Sequence, residues 1–189
     1  MSSVVCSLAD LVYKKEELIR CLQSGGNINE QNASGYTALW CACDKNRVEI
    51  VRLLLDHQNI DVNLQSHAGY SPFLNTCYEG KYESVLLMLQ DARTNVNLSD
   101  GDGWTPLIHA CYKGKIRVVQ LLLAFGRFVY LNQKSTGDFS QLKSGSTALD
   151  IAKQREYIDI VSLLNTYQAN PLETQKSLRN QLHLKGILH

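Results

Sequence analysis

Apolar side chains recur at helical spacing in four segments of this chain. The segments cover residues 48–55, 82–89, 116–123 and 158–164. Within each segment the apolar residues lie three or four positions apart, as they do on one face of an amphipathic α helix. Before the third segment, Leu107, Ala110 and Cys111 form a shorter apolar face, which Gly114 separates from the longer one. The pattern predicts pairs of helices, a short one followed by a longer one.

A recurring five-residue sequence precedes each predicted pair. Its four copies are Gly35-Tyr36-Thr37-Ala38-Leu39, Gly69-Tyr70-Ser71-Pro72-Phe73, Gly103-Trp104-Thr105-Pro106-Leu107 and Gly145-Ser146-Thr147-Ala148-Leu149. The glycines are 34, 34 and 42 residues apart. In the third copy Gly103 suits a tight turn, Thr105 can cap the next helix, and Pro106 fits its first position. Neither helix of a pair can bury its apolar face alone, so the units are expected to stack as a solenoid.

The chain resembles an ankyrin repeat protein over residues 3–168. The resemblance rests on Gly-x-Thr-Pro-Leu at 103–107, Glu-Ile-Val-Arg-Leu-Leu-Leu at 49–55 and Asp-Val-Asn at 61–63. It implies an all-α ankyrin-repeat solenoid of stacked helix-turn-helix pairs with projecting β-hairpin fingers. It also implies no intrinsic catalysis and a partner protein held on the concave face. The chain departs from the family where a histidine is usual in the finger motif, and there it has Trp40, Leu74, Ile108 and Asp150.

The spacing predicts one ankyrin array over residues 1–168 and a C-terminal capping helix with a tail over 169–189. An N-terminal capping repeat at about 3–32 precedes four further repeats, at about 33–66, 67–100, 101–134 and 143–168. The long last interval places an insertion at about 133–144. Its loop-like composition fits either a tolerated surface insertion or an extended finger that contacts a partner.

The C-terminal segment has the features of a helix start. Asn170 can cap it and Pro171 fits its first position. Leu178, Leu182 and Leu172 would share one face, with Lys176 and Arg179 outside that face. The segment either caps the last repeat or forms an amphipathic helix for another protein.

Composition narrows the choice of compartment and ligand. The net charge is +1, from 19 basic and 18 acidic residues, so no overall field attracts nucleic acid or an anionic membrane. No apolar run approaches the roughly 20 residues that span a bilayer. Cys43, Cys77 and Cys111 recur at one repeat position, as small buried hydrophobic residues would, which favours reduced thiols. We therefore expect a cytoplasmic protein, with the nucleus as the alternative.

The sequence offers little for catalysis or for cofactors. It contains no phosphate loop, nucleophile elbow, zinc-protease motif or paired-cysteine motif. His109 lies two residues from Cys111, but a helix turns about 200° over that distance, so the two side chains diverge. We expect no enzyme activity, no cofactor and no metal.

The resemblance also indicates which positions face a partner. These positions follow or precede the finger glycine, or end the first helix of a repeat. They hold Tyr36, Asp44, His67, Tyr70, Tyr78, Asp102, Trp104, Tyr112 and Lys113. The fold does not require aromatic residues there. The aromatic side chains either brace neighbouring fingers or form a strip of interface hot spots, because Tyr and Trp offer large, rigid contact areas.

The favoured function is an intracellular scaffold or adaptor, expected to be monomeric, that binds another protein through its concave ankyrin surface. One alternative is a regulatory or targeting module of a larger protein or of a bacterial effector. A second alternative is a substrate of asparaginyl hydroxylation, because the resemblance places Asn63 at the family's modified position.

Overall fold

The computed structural model describes residues 8–138 and 142–184, and these residues form ten α helices and one short 3-10 helix, with no β strand. The 3-10 helix is Asp10–Tyr13, and the α helices are α1 Lys15–Gln23, α2 Ala38–Asp44, α3 Val48–Leu55, α4 Pro72–Glu79, α5 Tyr82–Gln90, α6 Pro106–Tyr112, α7 Ile116–Ala124, α8 Ala148–Gln154, α9 Ile158–Ala169 and α10 Pro171–Gln181. The predicted all-α repeat fold is confirmed.

The helix pairs stack in two layers. The first helices α2, α4, α6 and α8 each pack on the next, and so do the second helices α3, α5, α7 and α9. Val51, Leu54, Val119 and Leu122 are fully buried between them, whereas Leu53 is only half-buried. Each pair thereby covers the apolar face of its neighbour, as the spacing predicts.

Three cysteines lie at equivalent places in the first-helix layer. Cys43, Cys77 and Cys111 are fully buried free thiols. Burial raises the pKa of each thiol well above its ordinary value, so all three stay protonated. They act as small apolar side chains in the core.

The finger loops begin the first helices as the sequence predicts. Thr105 accepts a hydrogen bond from the backbone N–H of Ile108 at 3.3 Å, and Gly103 adopts φ +73°. Equivalent caps are made by Thr37, Ser71 and Thr147. The predicted β-hairpins are not seen as strand pairs in the parts of the chain that are described. The fingers are hydrogen-bonded turns instead.

The N-terminal segment consists of the short 3-10 helix and α1, which follows it after one residue. Leu11, Val12 and Leu18 are buried in the core, and the 3-10 helix packs on α2. The segment therefore covers the first face of the stack.

The C-terminal helix α10 packs against both α7 and α9. Leu178 is buried as predicted, but Leu172 is 80% exposed and Asn170 makes no side-chain cap. The prediction that Arg179 lies outside the packed face is wrong, because its Nε donates to the carbonyl of Ala124 at 2.8 Å. The helix thus covers the second-helix layer of two repeats.

The ends of the insertion join the finger stack. The N–H of Ser135 donates to the carbonyl of Ser146 at 3.0 Å, and that of Thr136 donates to the carbonyl of Asp102 at 2.8 Å. Leu142 is buried in the core. The middle of the insertion, residues 139–141, lies outside the described residues, so the two interpretations of this segment stay predictions.

Candidate partner-binding surface

The candidate surface combines the finger tips with the ends of the first helices. The structure places the predicted residues there at three levels of burial. His67, Asp102 and Lys113 are exposed; Tyr36, Asp44, Tyr70, Tyr78 and Tyr112 are half-buried; Trp104 is buried. The half-buried aromatic residues are thus the ones that divide their surface between the core and the solvent.

Trp104 corrects the sequence prediction. The sequence places Trp104 among the partner-facing positions, but the exposed fraction of its side chain is 0%. Its ring centroid lies 5.4 Å from that of His109 and 5.5 Å from that of Tyr112. The indole has folded back from the finger onto the first helix, because packing there removes a large apolar surface from water. Trp104 therefore supports the surface from beneath.

A buried histidine ties the third finger to its helix. One carboxylate oxygen of Asp100 lies 2.8 Å from Nε2 of His109, whose side chain is fully buried. The other oxygen accepts the backbone N–H groups of Asp102 at 3.1 Å and Trp104 at 2.9 Å. One side chain thus fixes both the finger turn and the helix below it. This pair was not predicted, although His109 stands one position after the family's usual histidine.

Two tyrosines of the second finger and helix cover His109. The ring centroid of Tyr70 lies 5.3 Å from that of His109, and the centroid of Tyr78 lies 5.4 Å from it. The two tyrosine rings meet edge to face at 6.2 Å. Burial, and then the nearby charge of Asp100, raise the pKa of Tyr70 to about 12, so its phenol stays neutral. Neighbouring repeats therefore share one aromatic cluster.

Tyr36 lies in a separate aromatic contact. Its ring stacks on Trp40 with a centroid distance of 3.8 Å and an interplanar angle of 11°. The indole N–H of Trp40 donates to the carbonyl of Tyr70 at 3.2 Å, which links the first finger to the second. Trp40 was not predicted as part of the surface. Its position in place of the family's usual histidine was the available signal.

Charged side chains alternate with the aromatic residues. Nζ of Lys113 lies 4.4 Å from the ring centroid of Tyr78, and the guanidinium of Arg155 lies 4.8 Å from that of Tyr112. At the other end, Asp44 pairs with Lys45 at 2.8 Å and accepts from Asn75 at 3.2 Å. Burial raises the pKa of Asp44, but hydrogen bonds from Lys45 and Asn75 outweigh it and hold the pKa below its ordinary value.

Asn63 lies outside this surface, in a loop that follows a second helix. Its amide donates to the carbonyl of Arg93 at 2.9 Å and accepts the N–H of Asn95 at 2.7 Å. Asn29 and Asn97 make the equivalent pair of bonds in the neighbouring loops. Asn63 is therefore one step of an asparagine ladder that joins consecutive repeats.

The remaining chemistry of the described residues gives no second site. No group of three His, Cys, Asp or Glu side chains within 8–138 and 142–184 is placed to hold a metal ion. No helix in these ranges has the length and apolar character to cross a membrane.

Stacked helix pairs joined by capped turns define a helical repeat protein. The chain belongs to the ankyrin repeat family, since the family's description, ankyrin repeats (3 copies), matches residues 8–100 and 73–175. The sequence resemblance is thereby confirmed. A comparison with curated protein sequences gives no match. Ankyrin repeats are generally protein–protein interaction modules and are typically non-enzymatic.

Proposed function

We propose that this chain is an intracellular scaffold or adaptor that holds a partner protein on the concave face of its ankyrin array. The observation that supports this most is the half-buried row of Tyr70, Tyr78 and Tyr112 above the buried pair of Trp104 and His109. Rigid tyrosines surrounded by polar side chains are typical of interface hot spots. Because the base of the row is packed, little side-chain entropy is lost on binding.

The proposed contact residues are the predicted set without Trp104. They are Tyr36, Asp44, His67, Tyr70, Tyr78, Asp102, Tyr112 and Lys113. The array comprises a capping repeat, four further repeats with hairpin-like fingers, and the C-terminal helix, over the predicted boundaries. It acts as a monomer without enzyme activity, in the cytoplasm or the nucleus. Its near-zero net charge supports a protein partner rather than nucleic acid or membrane.

Affinity capture with quantitative calorimetry tests this proposal. The purified chain is used to capture proteins from a cell extract, and the affinity of a purified captured protein is then measured. Truncation of a buried interface tyrosine commonly costs about 2 kcal/mol, so Tyr78→Ala should weaken binding by about thirtyfold. Phe128→Ala is the control, because Phe128 is 80% exposed on a loop outside the surface.

Tyr112→Ala gives an independent test, and thermal melts verify that each variant is folded at the assay temperature. Captured proteins that bind Tyr78→Ala and Tyr112→Ala as tightly as the parent chain would contradict the proposal. The two tyrosines would then serve as braces between repeats.

The two alternative functions stay predictions. In the first alternative, the array is the targeting or regulatory module of a larger protein or of a bacterial effector. Hydroxylation of Asn63 would add one oxygen atom, roughly 16 Da, to the intact mass. Mass spectrometry of the native protein detects this increase. The ladder bonds of Asn63 do not favour this modification, since the loop has to open for an enzyme to reach the side chain.

A further inference from the structure

The two ends of the candidate surface differ in how their charges are satisfied. The first helices α2, α6 and α8 are each followed by a cation, namely Lys45, Lys113 and Arg155. Lys45 is neutralised by Asp44 at 2.8 Å. The ion pairs found among the described residues include neither Lys113 nor Arg155. The two cations without a carboxylate partner among the described residues therefore lie at the C-terminal half of the surface.

These two cations are already oriented. Lys113 lies over the ring of Tyr78, and Arg155 lies over the ring of Tyr112, while both cationic side chains remain exposed. A cation held on an aromatic face has lost part of its rotamer freedom before any partner arrives. An incoming anion then meets two partly ordered cations at equivalent positions of consecutive repeats, one over the ring of Tyr78 and the other over the ring of Tyr112.

The surroundings favour carboxylates on a protein over a nucleic-acid backbone. Exposed acidic side chains follow Tyr78 and Arg155 in sequence, as Glu79 and Glu156, and Asp102 is exposed on the third finger. A continuous phosphate chain would be repelled by these carboxylates, because it needs a mostly positive stripe. A peptide can place single acidic residues at the two cations and other residues beside the carboxylates.

We propose that the C-terminal half of the surface, formed by Tyr78, Tyr112, Lys113 and Arg155, binds an acidic segment of the partner protein. Asp or Glu carboxylates of that segment pair with Lys113 and Arg155, and an apolar part packs on Tyr112. This inference rests on the proposed function and specifies the chemistry of the partner.

Peptide selection provides a direct test. A phage library of random dodecapeptides is selected on the full chain at low salt, and an enriched peptide is synthesised with its acidic residues intact or replaced by Asn and Gln. Enriched peptides are expected to share at least two acidic residues. The amide-substituted peptide should bind the unaltered chain about tenfold more weakly, because charge-assisted hydrogen bonds are lost. Added NaCl should weaken the binding of the acidic peptide more than the binding of the amide-substituted peptide.

Variants of the chain locate the contact. Lys113→Gln and Arg155→Gln should each weaken the binding of the acidic peptide by about tenfold. Lys113→Arg should retain binding because it keeps the charge. Lys176→Gln is the matched control, since Lys176 is an exposed cation on α10, away from the surface. Thermal melts separate a loss of binding from a loss of folding.

Three results would overturn the inference. Enriched peptides that lack acidic residues but lose binding to Tyr78→Ala would contradict it and leave the proposed function intact. Acidic peptides that bind Lys113→Gln and Arg155→Gln at full strength would place the anion elsewhere. No enrichment over a selection without protein would count against the proposed function itself, and with it the inference.

Discussion

A single aromatic residue shows how burial decides a role that position alone leaves open. Trp104 follows a finger glycine, as Tyr36 and Tyr70 do, yet its side chain is fully buried while theirs are half-buried. Trp104→Ala should lower the free energy of unfolding by about 3–5 kcal/mol, because a large buried ring is removed and a cavity remains. Urea denaturation monitored by circular dichroism measures this loss.

Phe128→Ala is the control for this loss, since Phe128 is 80% exposed. It should change stability by no more than about 0.5 kcal/mol. If the Trp104→Ala chain is as stable as the parent chain but binds its partner poorly, Trp104 is a partner-contacting residue after all.

The last repeat contains a capping box whose strength depends on pH. Asp150 accepts the backbone N–H of Thr147 at 3.0 Å and its hydroxyl at 2.6 Å. The hydrogen bond from the Thr147 side chain is the main cause that lowers the pKa of Asp150 below 3.8. A carboxyl whose pKa is lower in the folded than in the unfolded chain stabilises the fold, and this stabilisation is complete above the ordinary pKa of 3.8. The stabilisation is lost as the pH falls through the folded-state pKa.

Asp150→Asn should therefore reduce stability at pH 7 by about 0.5–1 kcal/mol, a typical value for a helix cap. The difference in stability between Asp150→Asn and the parent chain should shrink as the pH falls below 3.8, the ordinary pKa of this carboxyl. Denaturant titrations at pH 7 and in acid measure the effect. Thr147→Val should flatten the same pH dependence, and a pH-independent deficit of Asp150→Asn would contradict the capping-box explanation.

Residue-scale features were predictable where their cause lies within a few positions. Thr105 caps its helix as predicted, because a side-chain oxygen reaches an N–H only three residues ahead. The contact between Asp100 and His109 was not predictable from spacing, because it depends on how the finger turn folds back onto α6. The burial of Trp104 follows from the same fold-back.

At the scale of elements, periodicity predicted the helices well but not the contacts of the last one. The predicted segment 48–55 coincides with α3, and the segment 158–164 is the start of the longer α9. Residues 165–169, which extend α9, are mostly polar, and α10 packs against that helix. The role of Arg179 was hidden because its acceptor, Ala124, lies 55 residues earlier in the chain.

Arg179→Met tests whether α10 holds α7 by this hydrogen bond. Methionine keeps much of the apolar stem but leaves the carbonyl of Ala124 without its charged donor. We expect a loss of about 1–3 kcal/mol in the free energy of unfolding. Lys176→Met is the control on the exposed side of the same helix. Equal stabilities for the two variants would mean that α10 is held by its apolar contacts alone.

At the scale of the whole molecule, the stacked helix pairs contact their neighbours in sequence order, and α10 packs across two of the pairs, on α7 and α9. First helices pack on first helices, second helices on second helices, and the asparagine ladder links consecutive loops. The regular spacing predicted this order, but it could not predict that α10 packs across two repeats. A linear chain of neighbours implies that stability is close to a sum of local terms with nearest-neighbour coupling.

A pair of matched core substitutions tests this coupling. Leu54 and Leu122 are both fully buried on second helices, in α3 and α7. Either Leu→Ala change should cost about 2–5 kcal/mol. Native-state hydrogen exchange should show Leu122→Ala accelerating exchange first in α7 and its neighbours α5, α9 and α10, with α1 little affected. Leu54→Ala should show the reverse order, beginning around α3. A uniform acceleration along the chain in both variants would contradict nearest-neighbour coupling and mean that the array unfolds as one cooperative unit.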